Sequence, residues 1–237
     1  MRQASVGFHC PDCTKTGGQK IFTPASLRVE PLVVKTLIAV NAVVFLAVMV
    51  LDGVEGSINL QGEGMLFGPA VAAGEWWRIV TSGFLHAGLI HVGFNMVLLW
   101  QLGSRMEETL GHVRFALLYA VGLLGGSLLV LIISPNQFTL GASGAVFGLM
   151  GATMVNQLAR NVNPMETGIG GLVAINLAFT FFFPGISIGG HLGGLAAGAA
   201  AGAVISYGPK LIPDAAIPVI LGGLVLVAAV AGVMVVS

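Results

Sequence analysis

The chain has 237 residues, 56% hydrophobic and 8% charged, with ten Lys plus Arg balanced by ten Asp plus Glu. Its mean hydropathy is +0.94. Soluble domains carry about 25% charged residues, so a water-soluble globular fold is excluded, and the charge balance leaves no basic field for nucleic acid. Two cysteines are too few for a disulfide scaffold.

Residues 1–32 are polar, contain no apolar signal-peptide core and read as a tail before the first span. His9-Cys10-Pro11-Asp12-Cys13 holds one CxxC. A structural zinc needs four ligands, so two Cys and one His leave the set incomplete, and the tail reads as solvated with reduced thiols and no metal. A membrane-spanning helix needs about 20 mostly apolar residues. Seven stretches qualify: 33–51, 88–103, 114–133, 142–159, 168–183, 188–206 and 216–236. The fold class is therefore all-α, a polytopic membrane helical bundle. The 35 glycines, roughly twice the usual share, suit close helix packing in lipid.

Orientation follows from Lys and Arg. Arg2, Lys15, Lys20, Arg28, Lys35, Arg105, Arg114, Arg160 and Lys210 fall on one side, and only Arg78 falls on the other. The N-terminus is expected in the cytoplasm and the C-terminus outside, with 52–87 an external, aromatic-rich loop at the membrane surface. Loops of that length in a compact domain usually carry function.

Polar groups at membrane depth are costly and default to functional candidates. His91 and Asn95 open the second span, Ser143 the fourth and His191 the sixth, with His86 just before the second. In the expected topology His91, Asn95, Ser143 and His191 lie at similar depth below the outer face. Serine and histidine can act as nucleophile and base, and an Asn amide, a second His and a backbone N–H can stabilise an oxyanion. No Asp or Glu is expected within a span, so the pair would work as a dyad without a carboxylate. Gly144, Gly148 and Ala152 form one ridge of small residues at four-residue spacing, and Gly190, Gly194, Gly198 and Gly202 form another. Such ridges permit the close helix approach that a Ser143–His191 bond would need. Taken singly, the bland alternatives stay open: a membrane serine usually bonds to backbone, and glycine ridges are usually plain packing. Asn41 and Asn176 read as hydrogen-bonders between helices.

Four motifs in order resemble the rhomboid intramembrane serine proteases: Trp77-Arg78; His86-x4-His91-x3-Asn95; Gly141-x-Ser143-Gly144; and His191-x2-Gly194-x3-Gly198. The resemblance covers roughly 33–206. It implies Ser143 as nucleophile, His191 as general base and acid, and His91, Asn95 and the Ser143 N–H as the oxyanion hole. Gly141 and Gly144 would flank the active serine, Trp77-Arg78 would brace the first loop, and His86 would be structural or water-ordering. Well-known members have tyrosine four residues after the serine; here it is Phe147, which can stack but cannot hydrogen-bond. The organisation implied is a 1–32 tail, a six-span core at 33–206, and 207–237 as linker plus seventh helix. The CxxC resembles a truncated zinc ribbon found before the first span in actinobacterial relatives.

The expected activity is endopeptidase cleavage of single-span membrane proteins at the cell membrane, with the lipid bilayer as surroundings and no cofactor or nucleic acid. Two alternatives differ in class. One is a catalytically inactive rhomboid-like protein that binds membrane clients. The other is a small-solute transporter, disfavoured by the lack of charged groups in the spans and of an inverted repeat.

Overall fold

The structure, a computed structural model, describes residues 2–3, 7–10, 12, 29–52 and 59–237. The chain divides into two compact units, Met1–Glu30 and Pro31–Ser237. In the first, β1 (Arg2–Gln3) pairs antiparallel with β2 (Phe8–His9), Arg2 opposite His9. Cys10 is exposed, whereas Pro11 and Cys13 of the CxxC lie outside the described residues.

The second unit is a helical membrane bundle. α1 (Leu32–Leu51) is followed by three short helices, α2 (Leu60–Gly64), α3 (Gly68–Ala72) and α4 (Arg78–Thr81). A 3-10 turn, Ser82–Phe84, then leads into α5 (Leu89–Leu98). A π-helical turn at Leu99–Gly103 joins α5 to α6 (Ser104–Leu110), making one continuous rod. α7 (His112–Ile133), α8 (Ser143–Ala159), α9 (Ile169–Phe182), α10 (Ile188–Tyr207) and α11 (Ala216–Met234) complete it. Seven helical rods thus stand on the seven apolar stretches.

Among the described residues, α1, α7, α10 and α11 are long and apolar enough to cross a membrane unaided; Arg78–Phe84 and Leu89–Leu110 meet the same length and composition only as a pair, with a 94° bend between them. α8 and α9 are shorter, with 17 and 14 residues. At 1.5 Å per residue these cover about 26 Å and about 21 Å, less than the ~30 Å hydrocarbon core. Helices that short are held at depth by neighbours rather than by reach, and α8 is walled in by α7 and α10. Its stretch from Gly144 to Ala152 is entirely buried.

The small-residue ridges are what bring α8 and α10 together. A Cβ on Gly194 would strike the Gly144 carbonyl, and one on Gly198 would strike that of Gly148. One on Gly202 would meet Ala152 Cα at 2.7 Å. Three successive pairs, each four residues on, put the two backbones in contact along three turns. Side chains larger than these would hold the helices apart, and dispersion is the main attraction available in lipid. The seventh rod, α11, packs against α7.

The second span is longer than expected. Residues 104–110, read as loop, continue the rod, and they carry a carboxylate inside it: Glu107 is fully buried. Its two oxygens accept the Val33 and Val34 N–H groups, both at 2.8 Å, and His112 Nδ1 lies 2.6 Å from Oε1. The orphan donors at the start of α1 need an acceptor, and an anion at a helix N-terminus supplies it. The rod thus carries two carboxylates, Glu107 and Glu108, in the stretch read from sequence as loop. Asn176 departs from expectation, its amide donating to Leu172 O of its own helix at 2.8 Å. Asn41 donates likewise to Leu37 O at 2.8 Å, but its side chain also makes a polar contact with the Tyr119 side chain of α7, between helices as expected. Asn156 also bridges helices, its amide reaching Ser206 Oγ at 3.2 Å.

Candidate active site

The site sits where α5, α8, α9 and α10 meet. Gly141 precedes α8 with φ +126°, a conformation L side chains rarely adopt, and a Cβ there would lie 2.8 Å from the His91 ring. Only glycine fits. Its N–H donates to Ser82 O at 2.8 Å, and Leu66 and Thr139 exchange two backbone bonds at 2.9 and 3.0 Å. The first loop is thereby clipped to the segment that delivers Ser143 to the head of α8. α10 starts on the Ser187 cap, whose Oγ accepts from Gly190 N–H at 3.1 Å, one residue before His191.

Ser143 Oγ and His191 Nε2 lie 2.8 Å apart. Phe147, one turn below the serine, stacks on the imidazole with centroids 4.1 Å apart and planes at 17°. On the far side of the ring, Nδ1 lies 2.6 Å from Thr180 Oγ1, on α9. Thr180 is buried, and its hydroxyl donates back to Asn176 O at 2.8 Å. A small cavity of about 30 Å³, the room of a water molecule or two, lies beside Ser143 with Ser82, Ser127 and Ser187 in its wall.

His91 and Asn95 occupy successive turns of α5 on one face. Ala87 N–H donates to His91 Nδ1 at 3.4 Å, which leaves Nε2 to carry the ring proton and present it toward Gly141. Asn95 is buried and donates to His91 O at 3.0 Å, one of its two amide hydrogens remaining for another acceptor. Among the described residues neither group hydrogen-bonds Ser143 or His191. His86 stands edge-on to His91, centroids 5.0 Å apart, and its Nε2 accepts from Ala142 N–H at 3.5 Å.

Two of the motif residues lie away from this cluster. The buried Arg78 guanidinium binds Gly62 O at 2.7 Å, Met65 O at 2.9 Å and Glu75 Oε2 at 2.6 Å, pinning the first loop from inside. Trp77 is exposed, and its Nε1–H reaches Glu63 O at 3.4 Å. Gly194 and Gly198 act on the site through the α8–α10 contact. Thr180 escaped sequence reading, although it stands four residues after Asn176 on the same face of an apolar span. That i,i+4 polar pair was the available signal.

Comparison with known proteins completes the picture. A rhomboid-domain family model matches residues 73–208, more than half of the chain. The chain belongs to the rhomboid family. Among curated rhomboids it is 32% identical to "Rhomboid protease GluP" of Bacillus subtilis over 166 residues, 69% of this chain and 32% of that protein. It is 40% identical over 92 residues to "Putative rhomboid protease YdcA" of the same organism, 38% of this chain and 46% of that one. It is also 38% identical over 109 residues to "Inactive RHOMBOID-like protein 8" of Arabidopsis thaliana, 46% of this chain and 31% of the relative. The chain spans less than half the length of each of these rhomboids.

Proposed function

We propose that this rhomboid is an intramembrane serine endopeptidase working by a Ser143–His191 dyad on single-span membrane proteins. The observation that carries the reading is the 2.8 Å contact between Ser143 Oγ and His191 Nε2, inside an apolar bundle where neither group would otherwise be placed cheaply. The family membership and the relatives named as proteases support the same reading.

In this mechanism Ser143 Oγ attacks the carbonyl carbon of the scissile bond while its proton passes to His191 Nε2. Negative charge develops on the former carbonyl oxygen. His91 Nε2–H, the free Asn95 amide hydrogen and the Ser143 N–H are the donors for it. The C–N bond then breaks, His191 returns the proton to the leaving amine, and an ester to Ser143 remains. His191 next takes a proton from water, whose oxygen attacks the ester carbon; the C–Oγ bond breaks, His191 returns the proton to Ser143 Oγ, and the new carboxyl end is released. Phe147 keeps the imidazole plane fixed throughout.

Peptide bonds in a stable helix are covered, so clients should have helix-weak spans with Gly or Pro near the cleaved bond. The proposed setting is the cell membrane, N-terminus in the cytoplasm and C-terminus outside. An inactive client-binding relative is the competing reading, because one similar protein bears the name inactive. The intact dyad favours the enzyme. Incubating the purified protein with a fluorophosphonate probe decides between them: the native protein should be labelled and Ser143→Ala should not. Absence of labelling in the native protein would sink the protease reading.

A further inference from the structure

A neutral imidazole carries one proton on two nitrogens, and only the form protonated at Nδ1 leaves Nε2 free to accept from the Ser143 hydroxyl. In soluble serine proteases a buried carboxylate holds that form. Here the group at Nδ1 is a threonine. Thr180 Oγ1 is 2.6 Å from His191 Nδ1 and 2.8 Å from the carbonyl oxygen of Asn176.

The hydroxyl owns a single proton, and Asn176 O can only accept. If Thr180 gave its proton to Nδ1, two oxygens would face each other at 2.8 Å with none between them. The network therefore assigns the proton to Asn176 O and makes Thr180 Oγ1 the acceptor of His191 Nδ1–H. One direction runs through the whole chain: Ser143 to His191, His191 to Thr180, Thr180 to Asn176.

We infer that Thr180 is the positioning residue of the dyad, holding His191 in its serine-activating tautomer. This rests on the proposed roles of Ser143 and His191. Phe147 sets the plane of the ring, and the bonds at its two ends set its rotation within that plane. When Nε2 takes the Ser143 proton, Nδ1–H already has its partner, so the imidazolium forms with no buried donor unsatisfied. A neutral hydroxyl does this without the cost of an ionised carboxylate at membrane depth. Thr180 is 2% exposed, so water cannot substitute for it. The lock also comes from a third helix: it holds only while α9 stands against α10.

The test compares Thr180→Val, which keeps the shape and removes the oxygen, with Thr180→Ser, which keeps the oxygen and loses a methyl. Three readouts apply: the rate of Ser143 labelling by the fluorophosphonate probe, kcat and KM on a transmembrane client, and 15N spectra of histidine-labelled protein. Thr180→Val should label about ten- to a hundred-fold more slowly, the worth of a hydrogen bond to a group that becomes charged. The loss should fall on kcat with KM unchanged, and the His191 signals, assigned by their absence in His191→Asn, should turn from one tautomer to a mixture. Thr180→Ser should restore the native rate and spectrum. Wild-type labelling by the Val variant, or a Ser variant as slow as Val, would overturn the inference in favour of simple packing. Should Val fail to fold, Thr180→Ala carries the same expectation. A native protein that is never labelled would refute the protease reading instead, while the spectra would still decide whether Thr180 holds the tautomer.

Discussion

Replacing Gly194 with alanine tests whether the α8–α10 contact sets the dyad distance. The added methyl would lie 2.7 Å from the Gly144 carbonyl carbon and 3.0 Å from its Cα. Carbon atoms prefer about 3.5–4.0 Å, so the two backbones must part by about 0.8 Å or more. Both partners are backbone and cannot rotate aside. Gly144 adjoins Ser143, and Gly194 lies one helical turn from His191, so the shift passes directly to the reacting pair. A 2.8 Å contact stretched by that amount leaves hydrogen-bonding range. Displacements near 1 Å cost about 10²-fold in rate, and overpacking costs roughly 1–3 kcal/mol in stability. Labelling kinetics with the fluorophosphonate probe and thermal unfolding in detergent measure the two effects. Gly223→Ala on α11, where a Cβ meets nothing within 4 Å, is the control and should be silent in both. A Gly194→Ala protein that labels at the native rate would refute the claim that this contact sets the dyad.

Ser143→Ala and His191→Ala should each fall to the background of the double variant, because members of one catalytic unit do not contribute additively. Asn95→Ala should retain a measurable rate, lower by about 10²–10³, since other oxyanion donors remain; turnover of one transmembrane client by the four proteins checks both expectations. Glu107→Gln puts an amide against the Val33 and Val34 N–H groups and should cost about 1.5–3 kcal/mol, lowering the unfolding midpoint by about 3–12 °C. An unchanged midpoint in a detergent melt would show that the carboxylate does not anchor α1. In a background without Cys10 and Cys13, Leu60→Cys and Ser237→Cys should react with an impermeant thiol reagent on intact cells, while a cysteine at Thr109 should be protected; the reverse pattern would invert the proposed topology.

The seven apolar stretches were legible in the sequence, and the longest of them, about 20 apolar residues in a row, have no other low-energy solution in lipid than a membrane helix; the short α8 and α9 depend on their neighbours as well. It also showed the two ridges of small residues, since four-residue spacing of glycine is a property of one helix face and needs no partner to be seen; which residue meets which came from the packed bundle. The motif order pointed to Ser143 and His191, although 48 residues separate them in the chain. What the sequence left undecided is where a polar side chain points once it has a choice of partners. Asn176 could have bridged helices and instead bonds to its own, since a carbonyl one turn back is always within reach, whereas Asn41 does both. Glu107 looked like loop because a charge at a span's end is ordinary; burial against the first turn of α1 turns it into a cap. Thr180 was one hydroxyl among many until α9 came to rest beside α10 and set its oxygen against His191 Nδ1. Local pattern determines the rods and their faces, but a hydrogen bond between two helices depends on their separation to within a few tenths of an ångström, which only the packed bundle decides.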